Sequence, residues 1–374
     1  RTPTSYTAAT LERVNYLDFP AVRPIRHLLV DPAVSEIMIN GRSKLFIESG
    51  GKLIAIAPVF HTQNSLDACV ESLMGLTVRA VNARAPFVDF RLPDGARINI
   101  VVPPIALDGP YVTIRRVTRS LRTLDDIVAK NTLTARMADF LRAAVEARLN
   151  VVFTGGTGSG KTTLLGMLSA SIPEDERIVV IEDTAELELP QPHVVRMECR
   201  PPNSEGAGGI VLADLLKNSM RMRPTRLIVG EVRGDEAFEL LSAMSSGHEG
   251  GFAVLHASSP AQALQRLGMM VLGKGLPFPL WAIQNQIASA IDVIVQHAML
   301  PDGSRRVTHI TSVEGVKDDV VHLEDLFVYD HDAKDEAGTV EGRFLCTGFK
   351  PRSLVRLRRA WGERVEPLFV EGVC

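Results

Sequence analysis

The chain has no run of about 18 consecutive apolar residues, so it offers no segment that reads as a membrane-spanning helix. It begins at Arg1, which is neither an initiator Met nor part of a signal peptide, and the expectation is a soluble protein cut at its N-terminus. Cysteine is scarce: Cys69, Cys199, Cys346 and Cys374 lie far apart without a C-x-x-C pair. That spacing excludes a disulfide framework and a zinc site, and it suits the reduced thiols of a cytoplasm. Aromatic residues make up 5% of the 374 residues and the net charge is -3, so no global positive field draws the chain to nucleic acid or an anionic membrane. There is no internal repeat and no low-complexity tract. A hydrophobic fraction of 45% and this length allow two or three domains with buried cores.

What the sequence does hold is concentrated in Gly155, Gly156, Thr157, Gly158, Ser159, Gly160, Lys161, Thr162 and Thr163. The first eight match G-x-x-x-x-G-K-[ST], a phosphate-binding loop. Its glycines let successive backbone N–H groups turn inward around the β- and γ-phosphates, Lys161 adds positive charge, and the Thr162 hydroxyl can reach Mg²⁺. Residues 149 to 154 form a strand-like apolar run, and Leu164, Leu165 and Leu168 follow the loop at helical spacing. Strand, loop and helix are the context the motif needs, which sets aside a mere flexible turn.

Residues 30 to 116 read as β-rich, with strands at 34–40, 43–48 and 52–57 and a helix at 65–76. A hairpin follows: Val88, Phe90 and Leu92 alternate with Asp89 and Arg91, Pro93-Asp94-Gly95 turns, and Ala96, Ile98 and Ile100 alternate with Arg97 and Asn99. A three-residue loop places Arg91 directly opposite Arg97, an unfavourable pairing that an anion or Asp89 must offset. The next strand, 111–116, ends in Arg115 and Arg116, which point to opposite faces, so one of them is structural. Residues 117–124 read as a linker. From 125 onward helices and strands alternate, predicting a doubly wound, mainly parallel α/β sheet with helices on both faces. The helices fall at 134–147, after the loop, at 210–222 and at 281–291; buried strands fall at 177–181, 226–229 and 251–256. Past 293 the signal turns to short β segments at 293–300, 305–313, 320–323 and 326–329.

In open α/β sheets ligands sit beyond the carboxyl ends of the strands, where this sequence places Glu182-Asp183, Glu231 and His256. Nucleotide hydrolysis needs a metal on the phosphates, a carboxylate that orients or deprotonates water, and positive charge for the transition state. Glu231 follows Leu-Ile-Val-Gly, as a Walker B acid follows its apolar strand, and is assigned water activation with a share in Mg²⁺ coordination. Glu182 competes for the same work. His256, and with less support His248, is placed to sense the γ-phosphate or position water. Arg221, Arg223 and Arg226 crowd the approach to the Glu231 strand, where arginines mostly pair with acids. For the transition-state charge the candidates are Arg233 and, from the N-terminal region, Arg91, Arg97, Arg115 and Arg116.

With these residues assembled the chain resembles the secretion ATPases of the type II and type IV machinery, and most closely those of the tight-adherence (Tad) pilus, the CpaF group. The matching stretches are residues 35–41, 91–95, 113–116, the phosphate loop, 181–186 as the Asp box, 221–224, 229–234 as Walker B, and 247–257 as the His box. Ser246 stands where the family more often has Thr before Gly-His. The resemblance implies a RecA-like P-loop core over 125–374, including a C-terminal β-containing extension from about 293. It also implies an N-terminal α+β, PAS-like domain over 30–116 and a shortened helical region over 1–29. It further implies ATP and Mg²⁺ as ligands, a homo-hexamer with nucleotide between domains, and N-terminal arginines that supply charge to that nucleotide. The implied place is the cytoplasmic face of the inner membrane, against pilus platform proteins, with pilin engaged only indirectly. The expected function is ATP-driven pilus assembly, with retraction open. The alternatives are a nucleic-acid translocase on the same core, disfavoured by the slightly acidic, aromatic-poor composition, and a scaffold that binds ATP without turnover, disfavoured by Lys161, Thr162 and Glu231 together.

Overall fold

A computed structural model describes residues 15–77, 81–82, 85–116, 123–202, 207–331 and 340–374. The chain divides into two compact units, the first ending at Ser120 and the second beginning at Leu121. Most of the linker read at 117–124 and the first half of the helical region read at 1–29 lie outside the described residues. Thr123, at the end of that linker, already caps a helix.

The first unit is built on a six-stranded antiparallel sheet. Its strands are β1 (Val34–Asn40), β2 (Lys44–Ser49), β3 (Lys52–Ile56), β4 (Phe87–Arg91), β5 (Arg97–Val101) and β6 (Tyr111–Arg115), in the spatial order β3-β2-β1-β6-β5-β4. Period-two alternation sends Ile37, Ile39, Ile98, Ile100, Val112 and Ile114 to one face. There they share a core with Ile25 and Leu28 of α1 (Arg23–Val30) and with Leu66 and Leu73 of α2 (Gln63–Met74). Thr62 starts α2 because its side chain accepts from the Ser65 N–H at 3.2 Å while Ser65 Oγ accepts from the Thr62 N–H. The β4–β5 hairpin has the register that its turn dictates, with Arg91 opposite Arg97.

In the second unit six strands run parallel, in the order β12-β7-β11-β10-β8-β9, and four antiparallel strands extend the sheet beyond β12. The parallel set is β7 (Val151–Gly155), β8 (Ile178–Glu182), β9 (Val194–Glu198), β10 (Arg226–Val232), β11 (Phe252–Leu255) and β12 (Val293–Met299). β7 and β8 are buried along their whole length, as expected of strands covered on both faces. On one side Val151 and Phe153 join a core formed with α3 (Leu124–Ala129), α4 (Ala135–Glu146), α5 (Lys161–Ser169) and α10 (Leu354–Trp361). On the other, Val152 packs with α6 (Leu212–Ser219), α7 (Glu236–Ser245), α8 (Pro260–Gly273) and α9 (Leu280–Ala290). The expected sheet with helices on both faces is therefore present.

Three details differ from the reading of the sequence. Residues 293–299 complete the parallel core beside β7, so the antiparallel addition begins only with β13 (Arg305–Lys317). The segments read separately at 305–313, 320–323 and 326–329 are one long hairpin of β13 and β14 (Val320–His331), turned by Asp318 and Asp319 at φ of 51° and 60°. Its alternation is broken by a register shift between Val313 and Gly315, which hid its continuity. Helices α7 and α8, the edge strand β9, and β15 (Gly342–Cys346) with β16 (Gly372–Val373) carried no signal that was read.

Candidate functional site

The strand order decides what stands beside what. β7 runs into the phosphate loop, β11 next to it ends at His256, β10 next again carries Glu231, and β8 beyond it ends at Glu182. The loop, the histidine and the two acids thus line consecutive strand ends on one edge of the sheet.

The loop has the backbone that a phosphate nest requires. Gly158 and Gly160 hold φ of 73° and 99°, and a Cβ on Gly156 or Gly158 would meet nothing within 4 Å. Gly155 admits no side chain, because its Cβ would lie 2.5 Å from the His297 carbonyl oxygen. Lys161 is 6% exposed, and its Nζ donates to the Gly156 carbonyl at 2.6 Å. Ser159 Oγ donates to the same oxygen at 2.8 Å. Thr162 and Thr163 lie in the first turn of α5, the first half-buried and the second exposed.

Glu231 is the hub of the charged side chains. Its Oε2 accepts from Arg233 Nη2 at 2.6 Å and its Oε1 lies 2.9 Å from His256 Nε2. Burial opposes ionisation, but the Arg233 hydrogen bond and the charges of Arg233 and Lys161 outweigh it and hold this carboxyl below the usual carboxylate range. His256 is pushed down by burial and then by Lys161, against the pull of Glu231, so it is neutral at pH 7. An ionised acid hydrogen-bonded to a neutral imidazole is a pair able to accept and relay a proton from water. Arg233 also faces Asp183 at 3.8 Å.

Glu182 is placed differently. It is 2% exposed, its Oε1 accepts from the Glu186 and Leu187 N–H groups at 2.8 and 3.1 Å, and its Oε2 is buried without a hydrogen-bond partner. Burial raises it to about 7 against the pull of those two N–H groups. One of its oxygens is thus committed to shaping the loop after β8, while Glu231 has the charge and the partner for work on water. His248 is half-buried in the loop before β11, and its Nδ1 has no partner.

The residues fit phosphates and a magnesium ion. Among the described residues no cluster of three or more His, Cys, Asp or Glu side chains could cage a metal. Mg²⁺ in nucleotide sites is held instead by one or two protein groups together with water and phosphate oxygens, and Thr162 and Glu231 are the groups of that kind here. When bound, the ion would neutralise charge on the phosphates.

Of the other arginines, Arg226 is no site residue. It is 1% exposed at the opposite end of β10 and pairs with Glu176 at 2.8 Å. In the first unit Arg91, Arg97 and Arg115 stand side by side across β4, β5 and β6. Asp89 offsets the crowding by accepting from Arg97 Nε at 3.0 Å and Nη2 at 3.1 Å, and Arg91 Nε is buried without a partner. Arg116, on the other face, is the structural one: its Nη1 donates to the carbonyls of Asp31 and Val34. Sequence reasoning missed Arg305, whose Nε donates to the carbonyl of Gly158 in the loop at 2.7 Å. Only the pairing of β12 with β7 reveals it.

Comparison with known proteins agrees with this geometry. The family described as type II/IV secretion system protein matches residues 21 to 321. The conjugal transfer protein TrbB of Rhizobium radiobacter is 35% identical over 77% of this chain and 86% of its own length. VirB11 of Agrobacterium fabrum is 31% identical over 73% of this chain and 87% of its own. A longer protein of Methanocaldococcus jannaschii is 39% identical over 60% of this chain, which spans 32% of it. The crystal structure of the pilus retraction motor PilT with bound ADP superposes with a TM-score of 0.54 at 16% identity, covering 93% of this chain and 88% of PilT. That likeness concerns the fold. Membership of the tight-adherence group in particular is not among these matches.

Proposed function

The chain belongs to the type II/IV secretion system protein family and is built as an ATPase, and from that premise we propose that it is a Mg²⁺-dependent motor whose ATP hydrolysis drives assembly of a surface pilus. The observation that carries the hydrolytic part is the Glu231–His256–Arg233 constellation on the strand ends beside the phosphate loop. In this reading the loop and Lys161 hold the β- and γ-phosphates, Thr162 and Glu231 hold the metal, and Glu231 accepts the proton of the attacking water while His256 keeps it oriented. Arg233 supplies charge as the γ-phosphoryl group departs. The working assembly is a homo-hexamer at the cytoplasmic face of the inner membrane, engaging platform proteins rather than pilin. No helix among the described residues is long and apolar enough to cross a membrane.

The pilus assignment draws on the motif resemblance and on the strands and helix beyond the family match at residue 321. A second reading, a conjugal-transfer or type IV secretion ATPase, is favoured by the similarity to TrbB and VirB11. Phosphate release by the purified protein tests the shared chemistry: it requires Mg²⁺ and is lost in Lys161→Ala, and a wild type that binds ATP without turnover would refute the motor. Introducing Lys161→Ala in the host separates the readings. Loss of surface pili supports the first, and loss of DNA or protein transfer with pili intact supports the second.

A further inference from the structure

The phosphate loop is gripped by a hairpin that no nucleotide motif includes. On its inner side stands His297, 1% exposed and the register partner of Gly155 in the parallel β12–β7 pair. On its outer side stands Arg305, whose Nε donates to the Gly158 carbonyl at 2.7 Å. Its Cδ lies 3.6 Å from where a Cβ on Gly160 would sit. Both residues belong to the β12–β13 hairpin, in which Met299 faces Arg305. The hairpin turn is fixed in its own right: Leu300 N–H donates to the Ser304 carbonyl at 2.7 Å, and Asp302 accepts from the N–H groups of Ser304 and Val340 at 2.8 and 3.1 Å.

The bonds internal to the loop leave the Gly158 carbonyl to Arg305. Ser159 Oγ and Lys161 Nζ both donate to the Gly156 carbonyl, and the Ser159 N–H approaches that same oxygen at 3.4 Å. A trans peptide is planar, with its C=O and N–H on opposite sides. Holding the Gly158 carbonyl outward therefore turns the Ser159 N–H inward, where it closes the loop's own turn on the Gly156 carbonyl. Inward N–H groups are what a phosphate nest offers its ligand.

We propose that Arg305 is a positioning residue for the nucleotide: through the Gly158 carbonyl, the β12–β13 hairpin sets the phosphate loop in its anion-binding shape before the nucleotide arrives. The proposal rests on residues 155–162 being a nucleotide site. Donors already in place need no ordering on binding, so loss of Arg305 weakens affinity and leaves the chemistry of bound ATP alone. Arg306, next along the strand, points elsewhere, with its guanidinium 5.8 Å from the centre of the Tyr329 ring.

The test uses the full chain with Mg²⁺ and a fluorescent ATP analogue. Arg305→Ala raises the Kd about tenfold, the effect of losing one charged hydrogen bond, and keeps kcat at saturating ATP within about twofold. Arg305→Lys recovers part of the affinity, since the charge returns without the planar donor. Without nucleotide the melting temperature of Arg305→Ala equals that of the wild type, and the rise caused by ATP shrinks. Arg306→Ala keeps the wild-type Kd. An unchanged Kd in Arg305→Ala overturns the proposal, and so does a fall in the nucleotide-free melting temperature that accounts for the weaker binding. Failure of the wild type to bind the analogue strikes instead at the nucleotide reading itself.

Discussion

Two glutamates bracket strand β8, and their surroundings differ in a way that separates the two ends of the large sheet. Glu176, just before the strand, receives Arg226 Nε and Nη2 at 2.8 Å each and Arg148 Nη1 at 2.8 Å, and these arginines hold it below the usual range although burial opposes them. Glu182, at the strand's far end, is buried against backbone N–H groups with one oxygen unpartnered, and burial lifts it to about 7. The same contrast runs along both edges. Where the strands begin, Arg226 also reaches the Val145 carbonyl at 2.9 Å, and Asp292 accepts from the Asn150 N–H at 2.8 Å and from Arg356 at 3.1 Å. Gly250 leaves room for the arginine, since a Cβ there would lie 2.0 Å from Arg226 Nη1. Where the strands end, Lys161 is turned onto its own loop, and Glu231 sits between an arginine and a neutral histidine. At the starting edge arginine–carboxylate pairs tie neighbouring segments together, and at the ending edge the charged groups gather beside the phosphate loop.

The contrast is broken most directly at the starting edge. Arg226→Ala leaves the half-buried Glu176 with Arg148 as its remaining arginine and costs about 3 kcal/mol, read as a loss of unfolding free energy in denaturant. If that variant instead kept full stability and lost only ATP turnover, the assignment of the two ends would be reversed. At the other end Glu231→Gln leaves ATP bound and slows phosphate release about 100-fold or more, with a thermal midpoint at or above that of the wild type. Normal hydrolysis in that variant would pass the role of base to Glu182.

Glu182 itself yields a pH signature. Its folded-state value is raised from 4.5 to about 7, so its contribution to stability is full below pH 4.5 and is lost as pH rises through 7. Glu182→Gln, which keeps an acceptor for the two N–H groups, removes that slope and is more stable than the wild type at pH 8 by roughly 2 kcal/mol. Denaturant titrations at pH 5 and pH 8 measure the difference; equal slopes in both proteins would show that Glu182 ionises normally. The smallest effect falls on His256→Gln, which retains a hydrogen bond to Glu231 but cannot relay a proton. Turnover drops about fivefold to tenfold with Kd for ATP unchanged, measured by phosphate release and nucleotide titration.

Much of this was legible where the physics is local. The hairpin of residues 87–101 was readable because a three-residue turn fixes its register, including the clash of Arg91 with Arg97; that Asp89 relieves it, of the anion and Asp89 both left open, came from the structure. That Arg115 and Arg116 face opposite sides followed from strand alternation alone, and the contacts of Arg116 with the Asp31 and Val34 carbonyls showed which of them is structural. Helices α7 and α8 were legible too, since Ala237, Leu240, Leu241 and Met244, and Ala263, Leu264, Leu267 and Val271, form apolar stripes at helical spacing. Arg226 pairs with an acid, as expected of the arginines before the Glu231 strand. A strand of seven residues puts Arg226 and Glu231 at opposite edges of the sheet.

The sequence by itself determined the phosphate loop, since a nest is made from the N–H groups of consecutive residues and glycine alone tolerates their φ values. It also determined that Glu182, Glu231 and His256 stand at strand ends, because apolar runs stop where the polar residues begin. Only the tertiary structure decided what each of them does. Strand order put His256 on Glu231, which Arg233 two residues on already reaches, while the turn after β8 claimed Glu182. The pairing of β12 with β7 brought Arg305 to the loop from 147 residues away. Partners that far apart along the chain leave no local pattern, because their meeting depends on the packing of the whole sheet.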